Sequence, residues 1–316
     1  MEKNNFEVIR GGINTTFQDL GRNNLYHIGI PFSGAMDNRN YLISNALVNN
    51  KKNSSVLEFA YQGPLLKFNG NKITIAVTGN VNFDIIKKNL KIESGNCYQT
   101  YDLFDGDQID LKSTDKSVYG YLSVSGEFET ELFGKSCSTN TKAKIGSNGG
   151  EKINERDKIV ISNVNENIRN RKVIYINNKI EQIRVIKGTN FDYFSEEGKK
   201  LFFNSQFKVS KLTDRMGMRL DGKKIENIVD TNIRSEGLIK GVVQVPEDGN
   251  PIIMLSDHGT IGGYPKIGVV ISADYDKLVQ TTPGSNIKFK EVNLSDAENL
   301  FKLYNFETQN ILNQIR

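Results

Sequence analysis

Residues 242–272 read VVQVPEDGNPIIMLSDHGTIGGYPKIGVVIS, in which short runs of valine and isoleucine are separated by turn residues. The runs VVQVP (242–246), PIIML (251–255) and IGVVIS (267–272) are bounded by Gly, Asn, Asp or Pro. Short β-prone runs at this spacing are typical of barrels and sandwiches. This segment therefore predicts neighbouring strands of a barrel or sandwich.

The same pattern continues through the rest of the chain. Five further runs predict strands: SVLEFA (55–60), ITIAVTG (73–79), VYGYLSVSG (118–126), KIVIS (158–162) and KVIYI (172–176). The sequence as a whole thus predicts a mainly β protein.

Helix signals are few. Asp37 and Ser195 are suited to cap short helices, because a side-chain oxygen before a helix can accept a bond from its first free amides. Ser295 and Glu298 form a capping-box pattern before an apolar stripe, which predicts a C-terminal helix docked on the last barrel. The stripe consists of Leu300, Phe301 and Tyr304.

A weak internal repeat indicates two similar domains. ITIAVTGNVNFDII (73–86) resembles IGVVISADYDKLV (267–279). Each is followed by a turn and a strand of one design, DGDQIDL (105–111) and PGSNIKF (283–289). The order of these segments is the same in both halves, so we expect the two halves to share an architecture.

Polar, Asn-rich sequence separates the two halves, which places the domain boundary near residues 165–180. We therefore predict an N-terminal β-barrel-like domain over residues 1–170. A C-terminal barrel domain with the terminal helix is predicted over residues 180–316.

Composition excludes several functions. The 41 Lys and Arg residues exceed the 37 Asp and Glu residues by four among 316 residues, and they are spread along the chain, so no nucleic-acid partner is expected. No apolar leader and no long apolar run is present, which predicts a cytoplasmic protein with no membrane partner. Two histidines and no C-x-x-C or H-E-x-x-H pattern predict no metal site.

The loop TTFQDLGRNNLYHIGIPFSGAMD (15–37) is too irregular for a strand or helix. Its glycines and Asp19 fit a tight structural crossover as well as they fit a loop that positions functional side chains. Arg22, Ser33 and Asp37 are candidates for binding an anionic substrate, because their side chains are costly to order without a partner. His27 is interpreted as a packing histidine.

Three segments of the second half are more specific: TDRMGMRLDG (213–222), SEGLIKGVVQVPEDGNPI (235–252) and LSDHGTIGGYPKIG (255–268). With LEFAYQGPLLKF (57–68), they resemble the family of the 5-oxoprolinase C subunit, the Kip antagonist and the second subunit of allophanate hydrolase. They also resemble half of the carboxyltransferase region of urea carboxylase. The resemblance extends from about residue 8 to residue 291.

This resemblance implies two tandem cyclophilin-like β-barrel domains that work with a Kip-inhibitor-like sister subunit. It also allows a third, catalytic subunit as a further partner. One departure is the segment LSVSGEFETELFG (122–134), where the family has a glycine-rich stretch. The resemblance therefore carries no site residue to that loop.

The resemblance implies one of two reactions, ATP-dependent opening of 5-oxoproline or carboxyl transfer from carboxybiotin. Both act on an amide of a small substrate, so both need fixed cations and hydrogen-bond donors. Arg215 and Lys266 are our first catalytic candidates, and Glu236 and Asp257 are candidate bases that could equally be ion-pair partners. Substrate-binding candidates in this half are Arg219, Gln244, Gly262, Gly263 and Tyr264.

The resemblance favours a subunit of an ATP-dependent 5-oxoprolinase, inactive alone, with ATP bound together with or on a partner subunit. Two alternatives stay open. One is the carboxyltransferase half of a split biotin-dependent carboxylase, the only reading that involves biotin. The other is a non-enzymatic regulator that binds a kinase inhibitor.

Overall fold

The computed structural model describes residues 4–176, 180 and 182–315. These residues form two compact units. The first comprises the described residues up to Arg22, residues 33–176 and residues 308–315; the second comprises residues 23–32 and those from 180 to 307. Residues 177–179, at the end of the predicted boundary, lie outside the described residues, and the two-domain assignment over 1–170 and 180–316 stays a prediction.

The first unit is built from two sheets. Its strands are β1 (Asn5–Arg10), β2 (Asn14–Gln18), β3 (Val56–Ala60), β4 (Leu65–Asn69), β5 (Lys72–Thr78), β6 (Val81–Ile86), β7 (Ile92–Ser94), β8 (Thr100–Phe104), β9 (Gln108–Thr114), β10 (Tyr119–Val124), β11 (Glu127–Phe128) and β12 (Lys158–Ser162). One sheet has the order β11-β12-β1-β4-β9-β6-β7 and the other the order β2-β3-β10-β5-β8.

Apolar residues alternate with more polar ones along several strands, and the apolar faces of the two sheets enclose one core. On β4, Leu66 and Phe68 are fully buried while Leu65, Lys67 and Asn69 are partly exposed, as the two-residue period of a strand requires. Helix α1 (Asn38–Leu47) covers the five-stranded sheet with Ile43 and Leu47, which pack in a second cluster with Ala76 of β5.

The second unit is a closed barrel. Its strands are β13 (Gln182–Lys187), β14 (Phe207–Val209), β15 (Gly217–Asp221), β16 (Glu236–Gly237), β17 (Val242–Gln244), β18 (Ile252–Met254), β19 (Ile261–Gly262), β20 (Lys266–Val270) and β21 (Asn286–Glu291). The barrel order is β13-β20-β17-β18-β15-β14-β21, closed by parallel pairing of β21 with β13. Strands β16 and β19 form a separate two-stranded sheet.

Three helices complete the chain: α2 (Glu196–Asn204), α3 (Ser272–Val279) and α4 (Leu294–Asn313). Phe202 of α2 stacks on Phe289 of β21 with ring centroids 4.4 Å apart, and Phe207 lies 5.8 Å from Phe289. All three rings are fully or almost fully buried, so they pin α2 against the barrel wall. Within the described part of the chain, no helix is long and apolar enough to cross a bilayer.

The predicted mainly β, barrel-containing fold with few helices is confirmed. Asp37 caps α1 by accepting from the Asn40 amide at 2.9 Å, and Ser195 caps α2 by accepting from the Gly198 amide at 3.0 Å. Seven of the eight predicted strands are present within two residues of their predicted ends.

The predicted strand at 172–176 is wrong. Only an isolated bridge from Lys172 to Gln99 forms there, and Ile174 and Ile176 are exposed, so this apolar run has no face to bury. The repeat is also only partial: residues 81–86 continue as strand β6, whereas the matching residues after β20 form helix α3.

The capping box predicted for the terminal helix is wrong by two residues. The Asn293 side chain caps the helix instead by accepting from the Asp296 amide at 2.8 Å, and the Asp296 carboxylate accepts from the side-chain amide of Asn293 at 2.9 Å rather than from its backbone. Of the predicted apolar stripe, Leu300 and Tyr304 are partly buried, whereas Phe301 is 42% exposed. Tyr304 donates a hydrogen bond to Asp276 of α3.

Candidate functional site

Arg215 and Asp257 meet as a buried ion pair. They lie just before β15 and just after β18, two paired strands, and the Asp257 amide also donates to the Arg215 carbonyl at 2.9 Å. The guanidinium contacts both carboxylate oxygens, with Nε–Oδ2 at 2.8 Å and Nη2–Oδ1 at 3.2 Å. Both side chains are more than nine-tenths buried, so each neutralises the other in a bidentate geometry.

His258 follows this pair and lies against Tyr26. Its Nδ1 is 2.6 Å from the Gly259 carbonyl and its Nε2 is 3.0 Å from the Tyr26 hydroxyl. A carbonyl only accepts, so Nδ1 carries the proton and Nε2 accepts from the hydroxyl. Burial lowers the pKa of His258 below its usual value and raises the pKa of Tyr26 to about 12, so both groups are neutral at pH 7.

Tyr26 reaches His258 because residues 23–32 fold with the second unit although they follow the first two strands in sequence. The neighbouring His27 is exposed, so its interpretation as a packing histidine is wrong. His258 was not among the predicted site residues, because its partner Tyr26 lies more than 200 residues away in the sequence.

Lys240 completes this region and was missed. Its ammonium lies 4.3 Å from the centroid of the Tyr275 ring, a cation–π contact. Burial lowers its pKa, Asp276 acts in the opposite direction, and the Arg215 charge lowers it further. The sequence feature that could have indicated Lys240 is its position between Ile239 and Gly241, directly before the apolar run of a buried strand. We call Arg215, Asp257, His258, Lys240 and Tyr275 the Arg215 cluster.

Lys266 and Glu236 form a second ion pair of different character. The ammonium of Lys266 donates to Glu236 Oε2 at 2.7 Å. The Lys266 side chain is 4% exposed, whereas that of Glu236 is 44% exposed. The hydrogen bond from Lys266 is the main reason that the pKa of Glu236 is lowered. A buried cation is thus matched by a carboxylate that is itself close to solvent.

Amide groups surround Lys266. Asn190 accepts from the Lys266 backbone amide at 3.1 Å, and Gln244 lies opposite Lys266 in the β17–β20 register. Gln244 Nε2 donates to the Tyr264 carbonyl at 3.0 Å. A Cβ atom on Gly262 would lie 2.8 Å from that same nitrogen, so glycine permits this approach. The predicted residues Gln244, Gly262 and Tyr264 are therefore brought together beside Lys266.

We call Lys266, Glu236, Asn190, Gln244 and Tyr264 the Lys266 cluster. Next to it lies a cavity of about 360 Å³ whose lining includes Tyr264. Gly263 adjoins the cluster, where an added Cβ would lie 3.2 Å from the Ile233 carbonyl. Asn190, which comes from the segment after β13, was not predicted, because a single asparagine in a loop carries no distinctive signal.

The two clusters lie at opposite ends of strand β20. Lys266 is its first residue, whereas Lys240 precedes Gly241, whose carbonyl accepts from the amide of Val270 at the other end. Four residues of strand span about 13 Å at roughly 3.3 Å per residue. The four predicted catalytic residues are therefore two separate ion pairs and do not converge on one point.

The remaining predicted binding residues lie elsewhere. Arg22 donates to the Phe133 and Ser138 carbonyls and lies 5.8 Å from the centroid of the Phe133 ring. Ser33 contacts the Asn140 side-chain amide at 3.4 Å. These bonds, like the Asp37 cap of α1, belong to the first unit, and each gives its side chain a structural role there.

Arg219 is exposed on β15 and belongs to neither cluster. Asp19, which was interpreted as a structural residue, is buried and accepts from the Gly21 amide at 2.8 Å. It also accepts from the Ser136 and Ser138 hydroxyls, each at 2.6 Å. These contacts hold the loop that contains Gly134-Lys135-Ser136.

With this geometry in place, comparison with known proteins identifies the family. Residues 28–291 match the model of the carboxyltransferase domain, subdomains A and B, and the chain belongs to this family. It is 30% identical over 293 residues to the 5-oxoprolinase C subunit of Escherichia coli, a match that covers 92% of each chain. It is 31% identical over 285 residues to the Haemophilus influenzae protein of the same name, covering 90% of each.

Among solved structures, the urea amidolyase of K. lactis superimposes on this chain with a TM-score of 0.89 at 26% identity. The match covers 98% of this chain but only 20% of the length of that enzyme. The recognised family resemblance and the mainly β fold with a barrel are thereby confirmed.

Proposed function

We propose that this chain is a subunit of an ATP-dependent 5-oxoprolinase that acts with a Kip-inhibitor-like sister subunit in the cytoplasm. The support is the match to the 5-oxoprolinase C subunit of Escherichia coli over 92% of both chains, at higher identity than the matches to urea amidolyases. That relative is by name one subunit of a larger enzyme, which fits a protein that is inactive alone.

One observation in the site carries the chemistry: the buried ammonium of Lys266 is paired with a carboxylate that is 44% exposed. The Lys266 side chain is held by its burial, and its backbone belongs to β20, whereas the exposed carboxylate of Glu236 can turn into water at little cost. An anionic substrate can therefore take the place of Glu236 on Lys266. Gln244 and Asn190 supply neutral amides beside it for orientation.

The reaction needs such a cation. Transfer of the terminal phosphoryl group of ATP to the amide oxygen of 5-oxoproline makes the ring carbon electrophilic. Water adds there, the C–N bond breaks with the nitrogen leaving as the amine, and a second water releases phosphate from the resulting acyl phosphate, leaving glutamate. Negative charge develops on oxygen during each addition, and a fixed, buried ammonium stabilises it.

A second candidate is the carboxyltransferase half of a split biotin-dependent carboxylase. The family model and the superposition on K. lactis urea amidolyase favour it. In that reading biotin, carried on another chain, supplies an activated carboxyl group, and the acceptor is again a small amide. The Lys266 cluster serves this chemistry equally, because an enolate-like amide oxygen also needs a cation.

The test is reconstitution. We expect this chain alone to release no glutamate from 5-oxoproline and ATP, and we expect turnover when it is mixed with its Kip-inhibitor-like partner and, if needed, a third subunit from the same organism. Appreciable glutamate release by the isolated chain would overturn the shared site. Absence of turnover in every mixture of correctly assembled subunits would overturn the 5-oxoprolinase assignment itself.

A further inference from the structure

The first unit contains a cavity of about 630 Å³ that none of the predicted site residues lines. Tyr101 and Phe104 of β8 form one part of its wall, and residues 170–172 form another. Its volume lies in the range of roughly 300–1,000 Å³ that is usual for small-molecule sites. It is therefore large enough for an organic ligand.

The two carboxylates of the wall are neutralised from outside the cavity. Asp102 is paired with Lys72 at 3.0 Å, and Glu93 is paired with Lys91 at 2.8 Å. Neither lysine lines the cavity. These acidic residues therefore contribute little net negative field to its interior.

Positive charge is left uncompensated. Arg171 donates through Nη1 to the Ala46 carbonyl at 3.3 Å and to Asn49 Oδ1 at 3.2 Å, which are both neutral acceptors. The ammonium of Lys172 has no partner among residues 4–176, 180 and 182–315. Two adjacent cationic residues thus line the cavity without a matching carboxylate in the described chain, a composition that attracts anions.

The backbone holds these cations in place. The Arg171 amide donates to Thr100 Oγ1 at 2.8 Å, and its carbonyl accepts from the Thr100 amide at 2.9 Å. The Val173 amide donates to the Tyr98 carbonyl at 2.9 Å. Residues 171–173 are thereby fixed beside the start of β8, so the two cations are presented from an ordered segment, which limits the entropy lost on binding.

Aromatic side chains of β8 supply flat apolar surface to the cavity. Phe104 is 50% exposed, and the ammonium of Lys87 lies 5.8 Å from its ring centroid. The Tyr101 ring is fixed edge-on to Phe83 at 5.8 Å, and its hydroxyl accepts from the Asn96 amide at 2.6 Å. An exposed aromatic ring beside fixed cations suits a ligand that carries a planar ring and an anionic group.

We propose that this cavity binds a nucleoside phosphate, with the phosphate on Arg171 and Lys172 and the base against Phe104. Arginine and lysine are the residues that most often bind phosphate oxygens, and aromatic side chains stack on bases of any identity. The inference is independent of the 5-oxoprolinase assignment, because it rests on the cavity alone. It gives this chain its own part of a nucleotide site, beyond the expectation that ATP is bound with a partner subunit.

The experiment is calorimetric titration of the full chain with AMP and ADP, with adenosine and inorganic phosphate as partial ligands. We expect both nucleotides to bind and each partial ligand to bind at least tenfold more weakly. The double variant Arg171→Ala/Lys172→Ala should weaken AMP binding at least tenfold, and Phe104→Ala should weaken AMP without changing the affinity for phosphate. Lys88→Ala/Lys144→Ala removes the same charge from exposed ion pairs outside the cavity and should change neither.

Three results would overturn the proposal. One is the absence of nucleotide binding by the folded wild-type chain. The second is equal weakening in the two double variants, which means that binding depends on net charge alone. The third is phosphate binding as tight as AMP binding, which identifies a simple anion site. Far-UV circular dichroism of every variant establishes that the chain is folded, and failure here leaves 5-oxoproline turnover by an assembled complex unaffected.

Discussion

Substituting Lys266 and Glu236 one at a time tests whether the Lys266 cluster is an anion-binding site. Glu236→Gln removes the negative charge and keeps the shape, which leaves the ammonium of Lys266 buried without its counter-charge. Lys266→Met removes the positive charge and keeps the stem, which leaves Glu236 free to be hydrated. The two variants break the same 2.7 Å contact, but the structure predicts different costs.

The expected magnitudes follow from exposure. Breaking a fully buried pair costs about 3–5 kcal/mol, and breaking an exposed one costs at most about 1 kcal/mol. Lys266 is 4% exposed and Glu236 is 44% exposed, so the stranded lysine lies nearer the buried limit and the stranded glutamate nearer the exposed one. We expect Glu236→Gln to lower the free energy of unfolding by about 2 kcal/mol and Lys266→Met to lower it by less than about 1 kcal/mol.

Urea unfolding followed by far-UV circular dichroism measures both values. Glutamate or phosphate should restore stability to Glu236→Gln alone, because an anion that binds the native ammonium stabilises the folded state. The pKa of Glu236 is lowered in the folded chain, so the pair stabilises above the usual glutamate pKa of 4.5 and loses this effect as the pH falls through the lowered value. Equal destabilisation of the two variants, or a larger loss in Lys266→Met, would refute the reasoning.

Three further predictions concern the other buried polar groups. Asp257→Asn removes the carboxylate that the buried Arg215 guanidinium contacts at 2.8 Å and should destabilise the fold by about 3 kcal/mol in urea unfolding. His258 has a lowered pKa, so wild-type stability should fall as the pH drops below 6.5, and His258→Gln should flatten that part of a stability–pH profile. Asp37→Ala removes the cap of α1 and should cost about 1–2 kcal/mol by the same measurement, against no change in Lys88→Ala.

The seven confirmed strands were predictable because their signal is local. Short runs of apolar and β-branched residues mark β3, β5 and β10, so the run of residues alone indicates the element. The caps at Asp37 and Ser195 were predictable for the same reason. The box predicted at Ser295 and Glu298 failed because Asn293 caps the amide of Asp296 two residues earlier, and the sequence alone does not rank the two positions.

The pairing of site residues was not predictable, because it depends on register between strands distant in sequence. Glu236 meets Lys266 only because β16 pairs with β19, and Gln244 meets Lys266 only because β17 pairs with β20 with a shift at Val243. No spacing rule relates these positions. The same holds for Tyr26, whose segment folds with the second unit.

A paired assay of the assembled enzyme decides between the two chemistries. It follows ATP-dependent glutamate formation from 5-oxoproline and, separately, bicarbonate incorporation in the presence of a biotinylated carrier protein, for wild type, Lys266→Ala and the exposed control Lys88→Ala. We predict glutamate formation by wild type and the control, a loss on the order of 100-fold in Lys266→Ala, and no carboxylation. Carrier-dependent carboxylation that disappears in Lys266→Ala, with no 5-oxoproline turnover by wild type, would contradict this account and establish the carboxyltransferase.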